Sequence, residues 1–243
     1  MNKKMNVLFV GNSYTECNAL WDVFANIVRG ESIEVDVDYV ATGGHTLEKH
    51  SDPADPFGHI LDEKLTNNKY DVVFLQEFST RPALEPGLFY KAVRKLYKKI
   101  IENGAKPYLY ETWGRKEGSP DLELYSMTHD SMTQKTIAAY HAIGEELNIP
   151  ISHAGTAFYD LNTNHPDIPI FHEDRWHASP LGTYVVALVH FATIYNISPI
   201  GIKYKFYKDD KDKQQAIEEA AHRAVFGPSI LRDEYKISSF GVE

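Results

Sequence analysis

Short runs of wholly apolar residues alternate along this chain with stretches whose apolar residues recur every three to four positions. Val7-Leu8-Phe9-Val10 is continuous and closed by Gly11-Asn12, the pattern of a strand buried on both faces. Asn18 to Arg29 follows with Leu20, Val23, Phe24, Ile27 and Val28 at helical spacing. From Ile33 to Val40 apolar residues alternate with polar ones, which predicts a strand with one wetter face at a sheet edge. Asp71 to Leu75 is apolar after its first residue and reads as a central strand. Leu88 to Ile101 is amphipathic, and Asn103-Gly104 stops it as a helix C-terminus does. Lys106 to Glu111 is a fourth strand, Ser131 to Leu147 a further helix, and Pro150-Ile151-Ser152-His153 a short fifth strand. Ser179-Pro180 opens a helix running to about Tyr195, with Ser as N-cap and Pro in the first turn.

Strand and helix in repeated alternation imply a mainly parallel sheet covered on both faces. With right-handed crossovers, five strands favour the flavodoxin-like order 2-1-3-4-5, an α/β three-layer sandwich. Strands 1 and 3 are then neighbours at the switch point, and their C-terminal ends should form the active crevice. Residues 1–202 carry this domain. Residues 203–243 form a polar appendix with a helix expected over Gln214 to Val225, read as a strap on the same domain, with an oligomer contact as the alternative.

Composition narrows the classes. Of 243 residues 43% are apolar and 24% charged, an ordinary globular balance sufficient for one filled core. A formal charge of −9 argues against nucleic acid or an anionic membrane as partner. The single cysteine, Cys17, permits no internal disulfide and reads as a small, partly buried residue. No window approaches the ~18 apolar residues of a membrane span. The opening apolar run is too short for a signal peptide, so the expectation for the chain as given is a cytoplasmic protein.

Two places carry candidate chemistry. Gly11-Asn12-Ser13-Tyr14-Thr15 ends the first strand, and a hydroxyl at Ser13 would stand where helix N-terminal N–H groups gather. Alone, this turn serves equally well as a phosphate cradle, as in flavin-binding flavodoxins, or as a plain N-cap. The second place is His172-Glu-Asp174-Arg-Trp-His177, just before the last long helix. Asp174 and His177 are three apart, so a carboxylate can hold Nδ1–H of the imidazole while Nε2 faces a serine.

Taken together, the two blocks make the sequence similar to the SGNH (GDSL-like) esterase superfamily. That resemblance implies Ser13 as nucleophile, His177 as general base and Asp174 as the acid that orients it. It also implies an oxyanion hole built from the N–H of Ser13 and of Gly44, in Ala41-Thr42-Gly43-Gly44-His45-Thr46. A third donor in the family is an Asn after strand 3, where this chain has Gln76-Glu77-Phe78-Ser79. Phe78 occupies the Asn position, which makes the Gln76 amide the expected donor, the alternative being that Gln76 turns into the sheet edge and Ser79 or a backbone N–H completes the hole. Tyr14, His45, Trp113 and Trp176 are weaker candidates for lining a substrate site; core packing, or a solvated loop for His45, is the plainer role. His165, His172 and His177 lack paired metal-ligand spacing, so neither metal nor cofactor is expected. The implied activity is hydrolysis of a carboxylic ester through an acyl-serine, with a small-molecule or carbohydrate ester as partner and a short acyl group such as acetyl. A silent carbohydrate-binding protein and a flavodoxin-like phosphate or flavin binder are the rival readings.

Overall fold

The computed structural model describes residues 4–237. The last six residues of the expected appendix, and the first three of the chain, lie outside them. In chain order the elements are β1 (Met5–Gly11), α1 (Ser13–Glu16), α2 (Leu20–Gly30), β2 (Val35–Ala41), α3 (Leu47–His50), α4 (Pro56–Asn67) and β3 (Val72–Leu75). There follow α5 (Arg81–Leu84), α6 (Pro86–Asn103), β4 (Lys106–Tyr110), α7 (Pro120–Leu124), α8 (His129–Leu147), β5 (Ile151–Ser152), α9 (Ala154–Asn164), α10 (Pro180–Tyr195) and α11 (Lys211–Phe226).

The five strands form one parallel sheet in the order β2-β1-β3-β4-β5, as the alternation predicts. Side chains alternate across it. Val7, Phe9, Val72, Phe74, Tyr108 and Tyr110 face a core shared with α2, α9, α10 and α11. Leu8, Val10, Val73, Leu75 and Leu109 face a second core shared with α4, α6 and α8. Pairing Phe9 with Phe74 in register stacks their rings at 5.0 Å. Burial of both faces explains why β1 and β3 show no polar alternation, whereas edge strand β2 keeps Asp36 exposed.

Several boundaries follow from caps. Gly104 takes φ 92° after α6, a left-handed stop that glycine adopts without a Cβ clash. Ser179 Oγ accepts from Gly182 N at 3.0 Å and starts α10. Gly182 itself is required, because a Cβ there would stand 2.1 Å from Ile170 O. Of the helices not expected from the pattern, α4 and α9 are the longest and fill the crossovers into β3 and after β5. The helix expected over Asn18 to Arg29 begins two residues late, as α2: Asn18 and Ala19 both take left-handed φ before it, and a separate short helix, α1, begins at Ser13. In the 203–237 segment, α11 lies on α9 and α10, and its Ile217, Ala220 and Ala221 join the first core. Among the described residues, no helix is long and apolar enough to cross a membrane.

Candidate active site

The site is built where β1 and β3 end side by side. Gln76 N donates to Val10 O at 2.9 Å, the last rung between them, and the chain of β1 then turns at Gly11. A Cβ at Gly11 would lie 2.4 Å from both Gln76 Oε1 and Thr15 Oγ1, so glycine is needed for this close approach. Asn12 caps α1, its Oδ1 accepting from Tyr14 N at 3.1 Å. Ser13 is the first residue of α1 and half-buried.

Opposite stands the loop between α9 and α10. Phe171 and Ala178 form an antiparallel bridge, and His172 N donates to His177 O at 2.9 Å, closing a tight hairpin over 171–178. Asp174 Oδ1 accepts from Trp176 N (2.9 Å) and His177 N (3.0 Å), which orients the carboxylate from its own loop. Its Oδ2 lies 2.7 Å from His177 Nδ1, and His177 Nε2 lies 2.8 Å from Ser13 Oγ. Carboxylate, imidazole and hydroxyl therefore stand in one hydrogen-bonded line. Burial alone would push the Asp174 carboxyl up, but hydrogen bonds from Trp176 N and from the His177 ring and N–H hold it well below the usual carboxylate range. It stays ionised and can stabilise a proton gained by the imidazole.

Loops from β1, β2 and β3 are tied together by buried polar side chains. Asn12 Nδ2 donates to His45 O at 2.9 Å, linking the Ser13 turn to the loop that carries Gly44. His50 Nε2 donates to Gly11 O at 2.8 Å, and Glu77 Oε1 accepts from Leu47 N at 3.1 Å. Asn18 Nδ2 reaches Ala178 O (3.2 Å) and Thr183 Oγ1 (2.9 Å), tying the α1–α2 kink to the histidine loop. Gly44 takes φ 72°, in the left-handed region that favours glycine, and nothing lies within 4 Å of a notional Cβ there.

Gln76 is not where its expected donor role requires. The side chain is fully buried behind the turn. Its Oε1 accepts from Asn12 N (2.9 Å) and Thr15 Oγ1 (3.0 Å), while its Nε2 donates to Asn12 Oδ1 (3.0 Å) and Glu77 O. The reason is that Asn12 N–H, at the strand end, has lost its sheet partner and takes the nearest buried acceptor. Gln76 is thus a strut for Asn12 and has no free N–H to offer an oxyanion.

Three of the weaker candidates also move inward. Trp113 is 1% exposed, sandwiched between Tyr14 (4.7 Å) and Phe158 (3.7 Å). His45 is buried on His50 and Phe57, its Nε2 3.0 Å from Asp55 Oδ1. Tyr14 is 5% exposed; its hydroxyl takes a hydrogen bond from buried Arg115, and its ring meets His177 edge-on at 5.5 Å. Trp176 is half-buried, its ring 5.2 Å from that of His177 and covered by the Arg115 guanidinium at 4.6 Å. Hydrophobic transfer drives these rings inward, beside the hydrogen-bonded line of Asp174, His177 and Ser13. Asn12, Arg115, Asn18, His50 and Glu77 were given no role by the sequence. Only Asn12 carried a signal there, as the middle residue of Gly-Asn-Ser.

No family model matches the chain, and no curated protein matches it. Among solved structures it is similar to a presumed SGNH hydrolase from Slackia heliotrinireducens, at 29% identity and TM-score 0.71, over 79% of this chain and 100% of that one. It is similar also to a DUF4886 family protein from Bacteroides uniformis, at 18% identity and TM-score 0.81, over 96% of this chain and 99% of that one. A third is the acetyl xylan esterase AlAXEase, at 15% identity and TM-score 0.60, over 78% of this chain and 100% of that one.

Proposed function

Starting from the SGNH-like fold of this chain, we propose that it is a serine esterase cleaving a carboxylic ester through an acyl-serine intermediate. Ser13 Oγ adds to the ester carbonyl as His177 Nε2 takes its proton, and ionised Asp174 stabilises the resulting imidazolium. The oxyanion meets the N–H groups of Ser13 and Gly44, at the head of α1. Gln76 does not supply a third donor, because its amide is turned away toward Asn12 and Glu77. Collapse of the intermediate sends the His177 proton to the leaving alcohol. Water, deprotonated by the same imidazole, then releases the acid.

The observation that carries this reading is the unbroken contact from Asp174 through His177 to Ser13, at 2.7 and 2.8 Å. For the acyl group we infer a short one, such as acetyl on a carbohydrate. Two of the similar structures, AlAXEase and the acetyl-xylooligosaccharide esterase Axe2, are named for that chemistry. The test is hydrolysis of p-nitrophenyl esters of rising acyl length and of acetylated xylo-oligosaccharides. Wild-type protein should prefer acetate, and Ser13→Ala should lose at least ~10³-fold in kcat with an unchanged fold. Near wild-type turnover by Ser13→Ala would end the serine mechanism. A preference that climbs with acyl length would end the short-acyl reading alone.

A further inference from the structure

A second group of titratable side chains lies two strands away from Ser13, at the C-terminal ends of β4 and β5. Glu111 directly follows β4 and is fully buried. Its Oε1 accepts from Thr156 N and Thr156 Oγ1, both at 3.0 Å, in the first turn of α9. That leaves Oε2, which lies 2.9 Å from Nδ1 of His153, the residue preceding α9. His141, on α8, brings its ring to 5.3 Å from that of His153. One ligand atom from each of the three lies within 4.8 Å of the others. Nothing in the serine mechanism uses them.

We propose that Glu111, His141 and His153 bind a divalent transition-metal ion of the zinc type. Two imidazoles and one carboxylate are a zinc donor set, whereas calcium or magnesium prefers oxygen ligands alone. Tetrahedral bonds of ~2.0–2.2 Å bring ligand atoms about 3.3 Å apart. The Glu111–His153 pair, at 2.9 Å, already has nearly that spacing, and with all three ligand atoms within 4.8 Å of one another, closing the triangle requires a shift of His141 by about 1.5 Å at most. Thr156 supplies the outer contacts that fix a ligating carboxylate. Burial lowers the pKa of His141, keeping its imidazole neutral and ready to ligate. His153 instead shares a proton with Glu111, so the ion must displace that proton to bind. A cavity of about 380 Å³, lined by Glu145, Ser229 and Lys236 among others, opens onto one of the three ligands, His141. Lys236, the adverse charge at its rim, is paired with Asp233 at 2.7 Å. The chain leaving Glu111 runs through Trp113 and Arg115, which support Tyr14, so a bound ion would clamp the segment beneath the serine site.

The experiment uses full-length protein stripped with EDTA and titrated with zinc by calorimetry and with cobalt(II) by visible absorption. One equivalent should bind, cobalt should give the intense bands of a four-coordinate site, and zinc at ~100 Kd should raise Tm by roughly 5–10 °C. His141→Ala places a strong helix former on α8 and should fold, yet weaken zinc at least ~10-fold. His153→Ala should do the same. Absence of binding below millimolar zinc would overturn the proposal. So would weak six-coordinate cobalt bands, or variants that bind as the wild type does.

Discussion

Replacing Gln76 by Ala separates a strut from an oxyanion donor. The side chain is wholly buried and makes three bonds to the serine turn: from Asn12 N at 2.9 Å, from Thr15 Oγ1 at 3.0 Å and to Asn12 Oδ1 at 3.0 Å. Each neutral bond contributes about 1 kcal/mol net, and a buried N–H left without a partner costs about 1–3 kcal/mol. Loss of the three, with Asn12 N–H stranded, should therefore destabilise by roughly 3–5 kcal/mol. For a chain of this length that lowers Tm by roughly 6–20 °C. kcat should fall in parallel, because Asn12 both caps α1 and holds the Gly44 loop through His45 O. Gln76→Glu keeps the volume but sets a carboxylate oxygen against Asn12 Oδ1, so it should lose both properties as well. The assay is a thermal melt beside steady-state kinetics on p-nitrophenyl acetate. A donor in the oxyanion hole would cost ~10²–10³ in kcat and leave the melt untouched. A Gln76→Ala protein that melts within a degree of wild type would refute the strut.

Two further predictions follow from the same geometry. Asp174→Asn places an N–H where Oδ2 now faces His177 Nδ1, favouring the wrong tautomer, and kcat on the same ester should fall by ~10²–10⁴; an unchanged kcat would remove Asp174 from the catalytic line. Stability should fall on acidification, because burial depresses His50 to about 4 and His190 to about 3, both below their unfolded value. Each contributes stability that is present above the unfolded value of ~6.5 and lost as pH falls below it, at about 1.4 kcal/mol per unit. Buried Glu77, raised to about 7, acts oppositely between its unfolded value and that point, stabilising as pH falls. Together these three groups should give a slope of about one proton between pH 6 and 5, and it should stay near one below ~4.5, because the His50 contribution ends as the Glu77 offset does. Urea midpoints against pH measure it, and His190→Phe should remove one proton from the slope; an unaltered slope would contradict the buried-imidazole account.

What the sequence made legible was what depends on neighbours along the chain. The apolar runs of β1 and β3, the Gly104 stop and the Ser179-Pro180 start are local signals, and they appear where the pattern put them. The approach of Ser13 to Asp174-x-x-His177 was legible because the serine sits at a strand end and the other two share one tight loop. The fate of Gln76 was not, since its amide could face the crevice or the sheet. Asn12 N–H decides that, and its need for an acceptor arises only once β1 and β3 are paired. The depth of Trp113 agrees with core packing as its plainer role, whereas the solvated loop expected for His45 does not hold, because loop position says little about depth when an aspartate waits beneath. Helix α9 escaped because Ala154-Gly-Thr-Ala has little periodic contrast, and its start is fixed from outside by Glu111. The split between α1 and α2 depends on Asn18 bonding to Ala178 and Thr183, some 160 residues onward.

The central claim is that Ser13 is a nucleophile activated by His177, and covalent capture tests it most directly. Wild-type protein treated with a fluorophosphonate should gain one adduct by intact mass, placed on Ser13 by peptide mapping. His177→Ala should label far more slowly, and Ser13→Ala not at all. An unlabelled wild type, or a Ser13→Ala protein that labels at the wild-type rate, would contradict the account.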